Sequence, residues 1–301
     1  MVNKIKLIIK EFIYKYIMIY IYYILRHLIT PNKKMIRNYK FKGNIKVVTK
    51  DKKKFYLYNN AFILESSIFW LGFDNINWER NTRKVWITLS KKSKIIFDIG
   101  ANTGIFSMIA KVYNNDCEIH SFEPQPNIYH IFKKNIQINN FNISCNNIAL
   151  SNQIGQAPFY NYGDNTFIDK NTTAGSLNQK WRQKNQNTIT VKVNTLKQYI
   201  EKNNLTKIDL MKIDVETYEY EVLLGMENYL KIFKPIIILE IQTNIIANNI
   251  QLLLKKLDYI FYNINENDGL LKKNTLDIDE NNLNYLLCPI EKKHLIDTLI
   301  K

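Results

Sequence analysis

From Lys94 to Ile241, short apolar runs alternate with segments whose apolar residues fall at helical spacing, and this alternation constrains the chain more than any other feature. Ile95-Ile96-Phe97 reads as a strand, and Ile105, Phe106, Met108 and Ile109 read as the inner face of a helix. The rhythm then recurs. Glu118 to Phe122 and Ile143 to Ile148 are predicted strands flanking a helix over Ile128 to Asn139. Ile208 to Ile213 and the very apolar Pro235 to Ile241 flank a helix over Tyr218 to Tyr229. Strands this short and apolar, alternating with helices, imply a parallel sheet covered on both faces, hence an α/β fold of the Rossmann-like kind.

Two regions depart from the rhythm. Between Pro158 and Val193, strand-like segments at Phe159 to Tyr162 and Thr188 to Val193 bracket a polar loop holding Thr173-Ala174-Gly175-Ser176. Beyond Leu252 to Leu257, strand candidates at Tyr259 to Ile264 and Asn284 to Cys288 suit an antiparallel pair at the sheet edge. Ahead of the alternation, Asn44 to Val48 and Lys54 to Asn59 read as a hairpin, followed by helical pieces at Phe62 to Trp70 and Trp78 to Leu89 separated by Gly72. The expected organisation is an N-terminal helix and hairpin extension over 1–90 and a catalytic domain over 91–301.

The chemistry concentrates where the strands end. Phe97-Asp98-Ile99-Gly100-Ala101-Asn102-Thr103-Gly104 closes the first strand, with Gly100 and Gly104 allowing close approach of backbone to a ligand. An acid at Asp98 opposes a pyrophosphate but suits a ligand bearing an ammonium and a sulfonium, which separates this turn from the dinucleotide G-x-G-x-x-G. The second strand ends in Glu123-Pro124, 25 positions after Asp98, where a carboxylate can accept hydrogen bonds from ribose hydroxyls. The third strand brings Asn146, Asn147, Ile148, Ala149 and Leu150, whose amides can edge an adenine; a plain Asn-rich surface loop is an equal reading. The fourth strand ends in Lys212-Ile213-Asp214-Val215-Glu216. Strand-end acids can be helix N-caps, but two acids beside a lysine at the predicted cleft mouth favour catalysis.

Charge and cysteines narrow the partners. The net charge of +15 comes from lysines in scattered pairs and short runs, in a chain also rich in Asn, Ile and Tyr, so solvated lysines are preferred to a specific nucleic-acid surface. Cys117, Cys145 and Cys288 form no C-x-x-C pair and are odd in number, and His27, His120, His130 and His294 show no ligand spacing; no metal site is expected. The expected compartment is the cytoplasm. The apolar stretch from Leu7 to Ile29 is broken by Lys10, Glu11, Lys15 and Arg26, leaving an uncharged run from Tyr16 to Leu25 that is shorter than the ~20 residues of a membrane span. It reads as a helix docked on protein, with peripheral attachment to a membrane surface as the alternative.

The stretches FDIGANTGIFS, EIHSFEPQPNIYHIFKKNIQIN, NNIALSN, TAGS, VKVNTLKQYI, DLMKIDVETYEYEVLLGM and KPIIILEIQ, in this order, resemble the FkbM-type methyltransferases, a branch of the class I S-adenosylmethionine-dependent enzymes. Looser similarity runs through Trp70, Trp78 and Glu79. The resemblance implies S-adenosyl-L-methionine as donor, a pocket lined by Asp98, Gly100, Asn102, Gly104 and Glu123, and a reaction centre faced by Asp214 and Glu216. It also implies an oxygen acceptor, a hydroxyl of a sugar or other glycoconjugate. Many relatives carry Gly-Ala after the KIDVE run, where this chain has Thr217-Tyr218, so the acceptor pocket is expected to differ. Two other classes share parts of the pattern: a nicotinamide-dependent oxidoreductase, opposed by Asp98 and the missing glycine signature, and a non-catalytic binding protein on the same fold. Oligomeric state has no signal in the sequence.

Overall fold

The computed structural model describes residues 13, 17–39, 41–162, 174–181 and 186–300. The sequence-predicted N-terminal helix before residue 17, Ile13 apart, and Thr173 of the polar loop lie outside the described residues. Two compact units result, Met1–Trp78 with Lys134–Asn140, and Glu79–Lys133 with Phe141–Lys301.

In the first unit, helices α1 (Met18–Leu25) and α2 (Lys33–Asn38) precede the hairpin of β1 (Lys42–Val48) and β2 (Lys54–Asn60), with α3 (Ile63–Leu71) following. Asn32 caps α2 by accepting the Met35 N–H at 3.0 Å. The hairpin is antiparallel from Lys42↔Asn60 to Val48↔Lys54, and the alternation in its sequence turns Ile45, Val47, Phe55 and Leu57 inward. Tyr22 of α1 meets Phe41 at 5.7 Å and Trp70 at 5.3 Å between ring centroids, and Phe41 meets Phe69 at 4.7 Å. Such tilted and edge-on contacts suit the aromatic quadrupole.

The second unit opens with α4 (Arg80–Ser90), β3 (Ile95–Ile99), α5 (Ile105–Tyr113), β4 (Glu118–Phe122), α6 (Pro126–Asn139) and β5 (Ser144–Asn146). The residues of α6 from Lys134 onward group with the first unit. An inserted segment follows, with β6 (Ala149–Leu150), β7 (Gly155–Tyr162), β8 (Gly175–Ser176) and β9 (Gln186–Asn194) forming a small sheet in the order β6-β9-β7-β8 around Ala149, Phe159, Val191 and Val193. Then come α7 (Leu196–Lys202), β10 (Leu210–Ile213), α8 (Glu219–Leu224), α9 (Asn228–Phe233), β11 (Ile236–Glu240), α10 (Asn244–Leu254), β12 (Tyr259–Asn265), β13 (Gly269–Lys273) and β14 (Asn284–Pro289).

The main sheet has the order β13-β12-β14-β11-β10-β3-β4-β5. Strands β5, β4, β3, β10 and β11 are parallel, and β14 lies antiparallel between β11 and β12. The chain builds outward from β3 through β4 and β5, then crosses to β10 on the other side of β3. The carboxyl ends of β3 and β10 therefore flank a topological switch point, where open α/β sheets bind ligands. Phe97, Ile99, Met211, Ile213, Ile237 and Leu239 fill the core with the helices of one face.

Two local expectations are corrected. The third strand stops at Asn146, and Ala149-Leu150 leaves the main sheet to pair with Val193-Asn194. The helix over Tyr218 to Tyr229 is two helices: a Cβ at Gly225 would sit 2.1 Å from the Ser151 carbonyl oxygen, and Glu227 takes φ 48°. The expected antiparallel pair is present as β12 with β14, and β13, unpredicted, adds a further hairpin outside β12. Residues 79–90 fall in the same compact unit as the main sheet.

Candidate active site

The turn after β3 is shaped by the protein itself before any ligand enters. Gly100 (φ 78°), Asn102 (φ 53°) and Gly104 (φ 85°) are left-handed, which only glycine and, more grudgingly, asparagine adopt readily. A Cβ on Gly100 would lie 1.8 Å from the Asp214 carbonyl oxygen, and one on Gly104 2.1 Å from the Phe132 ring. Gly100 and Ala101 both donate their N–H groups to the Phe122 carbonyl, at 3.0 and 2.9 Å, which ties the turn to the end of β4.

Glu123 holds the other side of this turn. Its Oε2 accepts the Asn102 N–H at 2.9 Å and its Oε1 accepts the Gln125 N–H at 2.8 Å. Burial pushes its carboxyl up to about 8, against the two backbone donors and assisted by the nearby charges of Asp98 and Asp214. Each oxygen retains a free lone pair for a further donor. Asn147 donates to the carbonyls of Glu123 and Pro124 at 2.8 and 3.0 Å, so it braces this strand end, while Ala149 is buried in the small sheet. Pro124 is buried beside Glu123.

Asp98 is fully buried, one step back from the strand end, where Ser107 donates to its Oδ2 at 2.5 Å. Burial raises its pKa, and Lys212, its register neighbour on β10, opposes the rise. Lys212 is equally buried; its Nζ donates to Asp214 Oδ2 at 2.6 Å and stands 4.5 Å from the Phe106 ring centroid. Burial works against the lysine charge, but the carboxylates of Asp214, Glu79 and Asp98 outweigh it and hold the ammonium proton above the usual lysine range. Asp214 itself is partly open, with about a third of its side chain exposed (32%).

Glu216 turns elsewhere. It and Thr217 take φ 54° and 73°, so the chain bends sharply between β10 and α8. Glu216 Oε2 accepts from Trp181 Nε1 at 3.0 Å and Gln242 Nε2 at 2.8 Å, and its carbonyl accepts the Ser176 hydroxyl at 2.6 Å. It does not cap α8. Thr217 occupies a left-handed position that the glycine of many relatives would take without strain, and its Oγ1 accepts from Asn178 Nδ2 at 2.8 Å.

Three acids of this region escaped the sequence as site residues. Glu79 (φ 43°) precedes α4, has a sealed Oε2 with no hydrogen-bond partner, and is pushed up to about 7 by burial, with Lys212 opposing and Asp214 and Glu266 assisting. Glu219 is fully buried; its Oε1 accepts the Val215 N–H at 3.2 Å, and burial raises it well above the carboxylate range. Glu240, linked to Gln242 at 2.6 Å, is raised to about 8, first by burial and then by Asp214. Their only sequence signals are the loose similarity at Glu79 and the quoted stretches holding Glu219 and Glu240. Among the described residues, no group of three or more His, Cys, Asp or Glu side chains is arranged to hold a metal ion.

A mixed sheet with the antiparallel strand β14 set between β11 and β12, and a glycine turn and acidic strand end at its switch point, defines a class I methyltransferase fold. Residues 98–261 match the methyltransferase FkbM domain, and the chain belongs to that family of S-adenosylmethionine-dependent methyltransferases. Methyltransferase 1 of Beauveria bassiana (strain ARSEF 2860) is 26% identical over 150 residues, covering 44% of this chain and 58% of that protein. Methyltransferase sdnD of Sordaria araneosa is 28% identical over 155 residues, covering 44% and 60%. The matched part thus spans under two thirds of these curated relatives. Among solved structures, the FkbM methyltransferase of Methylobacillus flagellatus KT aligns over 65% of this chain and 43% of that one at 12% identity (TM-score 0.39). The O-methyltransferase of Bacillus cereus, solved in complex with S-adenosylhomocysteine, aligns over 72% and 83% at 11% identity (TM-score 0.41).

Proposed function

We propose that this chain transfers the methyl group of S-adenosylmethionine to a hydroxyl oxygen of a sugar or glycoconjugate. The observation carrying transfer to a hydroxyl is the Lys212–Asp214 pair, 2.6 Å apart, at the end of β10 and packed against the turn that Glu123 braces; the sugar acceptor rests on the family resemblance alone. The donor, when bound, supplies a methyl group made electrophilic by its sulfonium. Glu123 has the lone pairs to receive a ribose diol, and the acids Asp98, Asp214 and Glu79, which outnumber the Lys212 among them, suit a cationic ligand better than a pyrophosphate.

The protein's own work is placement and proton handling. Lys212 fixes the Asp214 carboxylate, leaving Asp214 Oδ1 to receive an acceptor hydroxyl and orient it. An oxygen that has just gained a methyl group is strongly acidic, so even a carboxylate paired with lysine can take its proton. Glu216, held by Trp181 and Gln242, builds the acceptor side, with the family's glycine replaced by Thr217 as the element that reshapes it.

Incubation of the protein with methyl-labelled donor and glycan extracts tests this. Label in an alkali-stable ether of the carbohydrate fraction, absent with Asp214→Asn, is the expected result. Label confined to protein, lipid or nucleic acid would overturn the sugar acceptor.

A further inference from the structure

Helix α1 contains no charged residue, MIYIYYIL, yet one side of it stands in solvent. Tyr22 is buried against Phe41 and Trp70, and Tyr23 packs edge-on to Phe69 at 5.0 Å, so one side is taken up by its own unit. The opposite side carries Ile17 (43% exposed), Tyr20 (72%), Ile21 (43%), Ile24 (67%) and Leu28 (71%). Tyr20, Ile21 and Ile24 share one face of the helix, and Ile17 at its start and Leu28 in the turn after it extend them into an apolar stripe. Scattered exposed apolar side chains are ordinary on a protein surface; three on one face of an uncharged helix, continued by one at each end, call for a partner.

The charge around the stripe indicates which partner. The first 50 residues hold 12 of the 42 basic residues but one, Glu11, of the 27 acidic ones. From Phe12 to Lys50 there is no acidic residue at all. The +15 charge of the chain is therefore concentrated here, contrary to the scatter its lysine pairs imply. Lys33, Lys34 and Arg37 on α2, close in sequence to the stripe, are exposed. An apolar stripe flanked by cations without anions matches an anionic lipid surface, where aromatic and aliphatic groups enter the headgroup boundary and lysines stay among the phosphates. No helix of the described residues is long and apolar enough to cross a membrane.

We propose that α1 and α2 form a peripheral docking surface for anionic phospholipid, with Tyr20, Ile24 and Leu28 inserted at the interface and Lys33, Lys34 and Arg37 on the headgroups. The surface lies within the N-terminal unit and is independent of what the candidate active site accepts.

Vesicle sedimentation of the full chain tests the proposal, comparing phosphatidylcholine alone with phosphatidylcholine mixed with phosphatidylglycerol. Co-sedimentation with the anionic vesicles, reversed by high salt, is expected. Tyr20→Ser with Ile24→Ser, and separately Lys33→Glu with Lys34→Glu, should each weaken it about tenfold or more, since each charge and each buried apolar group contributes independently. All four side chains are exposed, so both variants should keep wild-type melting temperatures, which circular dichroism checks. No sedimentation with anionic vesicles at low salt overturns the proposal. So does attachment that resists both salt and alkaline washing, or equal binding to neutral vesicles. A homodimer in light scattering that Tyr20→Ser with Ile24→Ser dissociates would make a second copy the partner, and RNA binding lost with Lys33→Glu and Lys34→Glu would make it a nucleic acid.

Discussion

Gly100 lies against the backbone of Asp214: a Cβ added to the glycine would sit 1.8 Å from the aspartate's carbonyl oxygen. The glycine that begins the candidate donor turn is thus required first by the meeting of β3 and β10, with any ligand approach a second demand. Gly100→Ala should lower stability by at least about 2 kcal/mol, combining left-handed strain with a backbone clash. Gly155→Ala, at φ 134° but with nothing within 4 Å, should cost only about 1 kcal/mol of strain. Urea denaturation of the two variants separates strain from clash; equal losses would contradict the packing role of Gly100.

Thr217 pays for its left-handed backbone, partly offset by the hydrogen bond from Asn178. Thr217→Ala removes the bond and keeps the strain, whereas Thr217→Gly removes both. Thr217→Gly should therefore be the more stable of the two by about 1 kcal/mol. Melting curves that rank them the other way would mean the turn relaxes around threonine.

Glu123, raised to about 8 by burial, gives donor binding a pH dependence. Ribose hydroxyls would donate to the ionised carboxylate and lower its pKa in the complex, so binding releases protons. Affinity for S-adenosylhomocysteine should rise as pH increases from about 6.5 toward 8 and level off above it, by roughly tenfold for a one-unit shift. The dependence should survive in Glu79→Gln, whose own carboxyl is raised to about 7, and vanish in Glu123→Gln. Calorimetry in buffers of different ionisation enthalpy counts the protons; uptake instead of release would contradict the assignment.

Asp214 and Glu216 lie two residues apart but serve different sides, because the left-handed turn at Glu216 and Thr217 sends their side chains to different partners. Asp214→Asn should lower turnover about a hundredfold with donor affinity near normal, as expected for a proton acceptor. Glu216→Gln places an amide against the Trp181 and Gln242 donors and should mainly raise the acceptor's KM. Steady-state kinetics on an identified acceptor checks both, and full turnover in Asp214→Asn would leave placement alone as its role.

The parts of the candidate site legible in the sequence sit at or next to the ends of strands β3, β4 and β10. Asp98, Gly100, Glu123 and Asp214 were legible because a short apolar run followed by a special residue marks the carboxyl end of a strand. Glu79 was not, since only the fold brings the start of α4 into the field of Lys212. Asn147 and Ala149 read as one continuous strand, but after Asn146 the chain turns away to pair with Val193, a choice fixed by a partner more than 40 residues later. The break at Gly225 likewise depends on the Ser151 carbonyl, which no helical periodicity records. For Gly100 the type was legible and the reason was not: the contact it avoids is Asp214.

The most direct test of a donor site at the β3–β10 switch point is titration calorimetry of S-adenosylhomocysteine and of a nicotinamide dinucleotide into the wild-type protein and Glu123→Gln. Saturable binding of S-adenosylhomocysteine to the wild type, much weaker binding to Glu123→Gln, and weak or no binding of the dinucleotide are expected. Preference for the dinucleotide, or undiminished S-adenosylhomocysteine affinity in a folded Glu123→Gln variant, would contradict a donor site there.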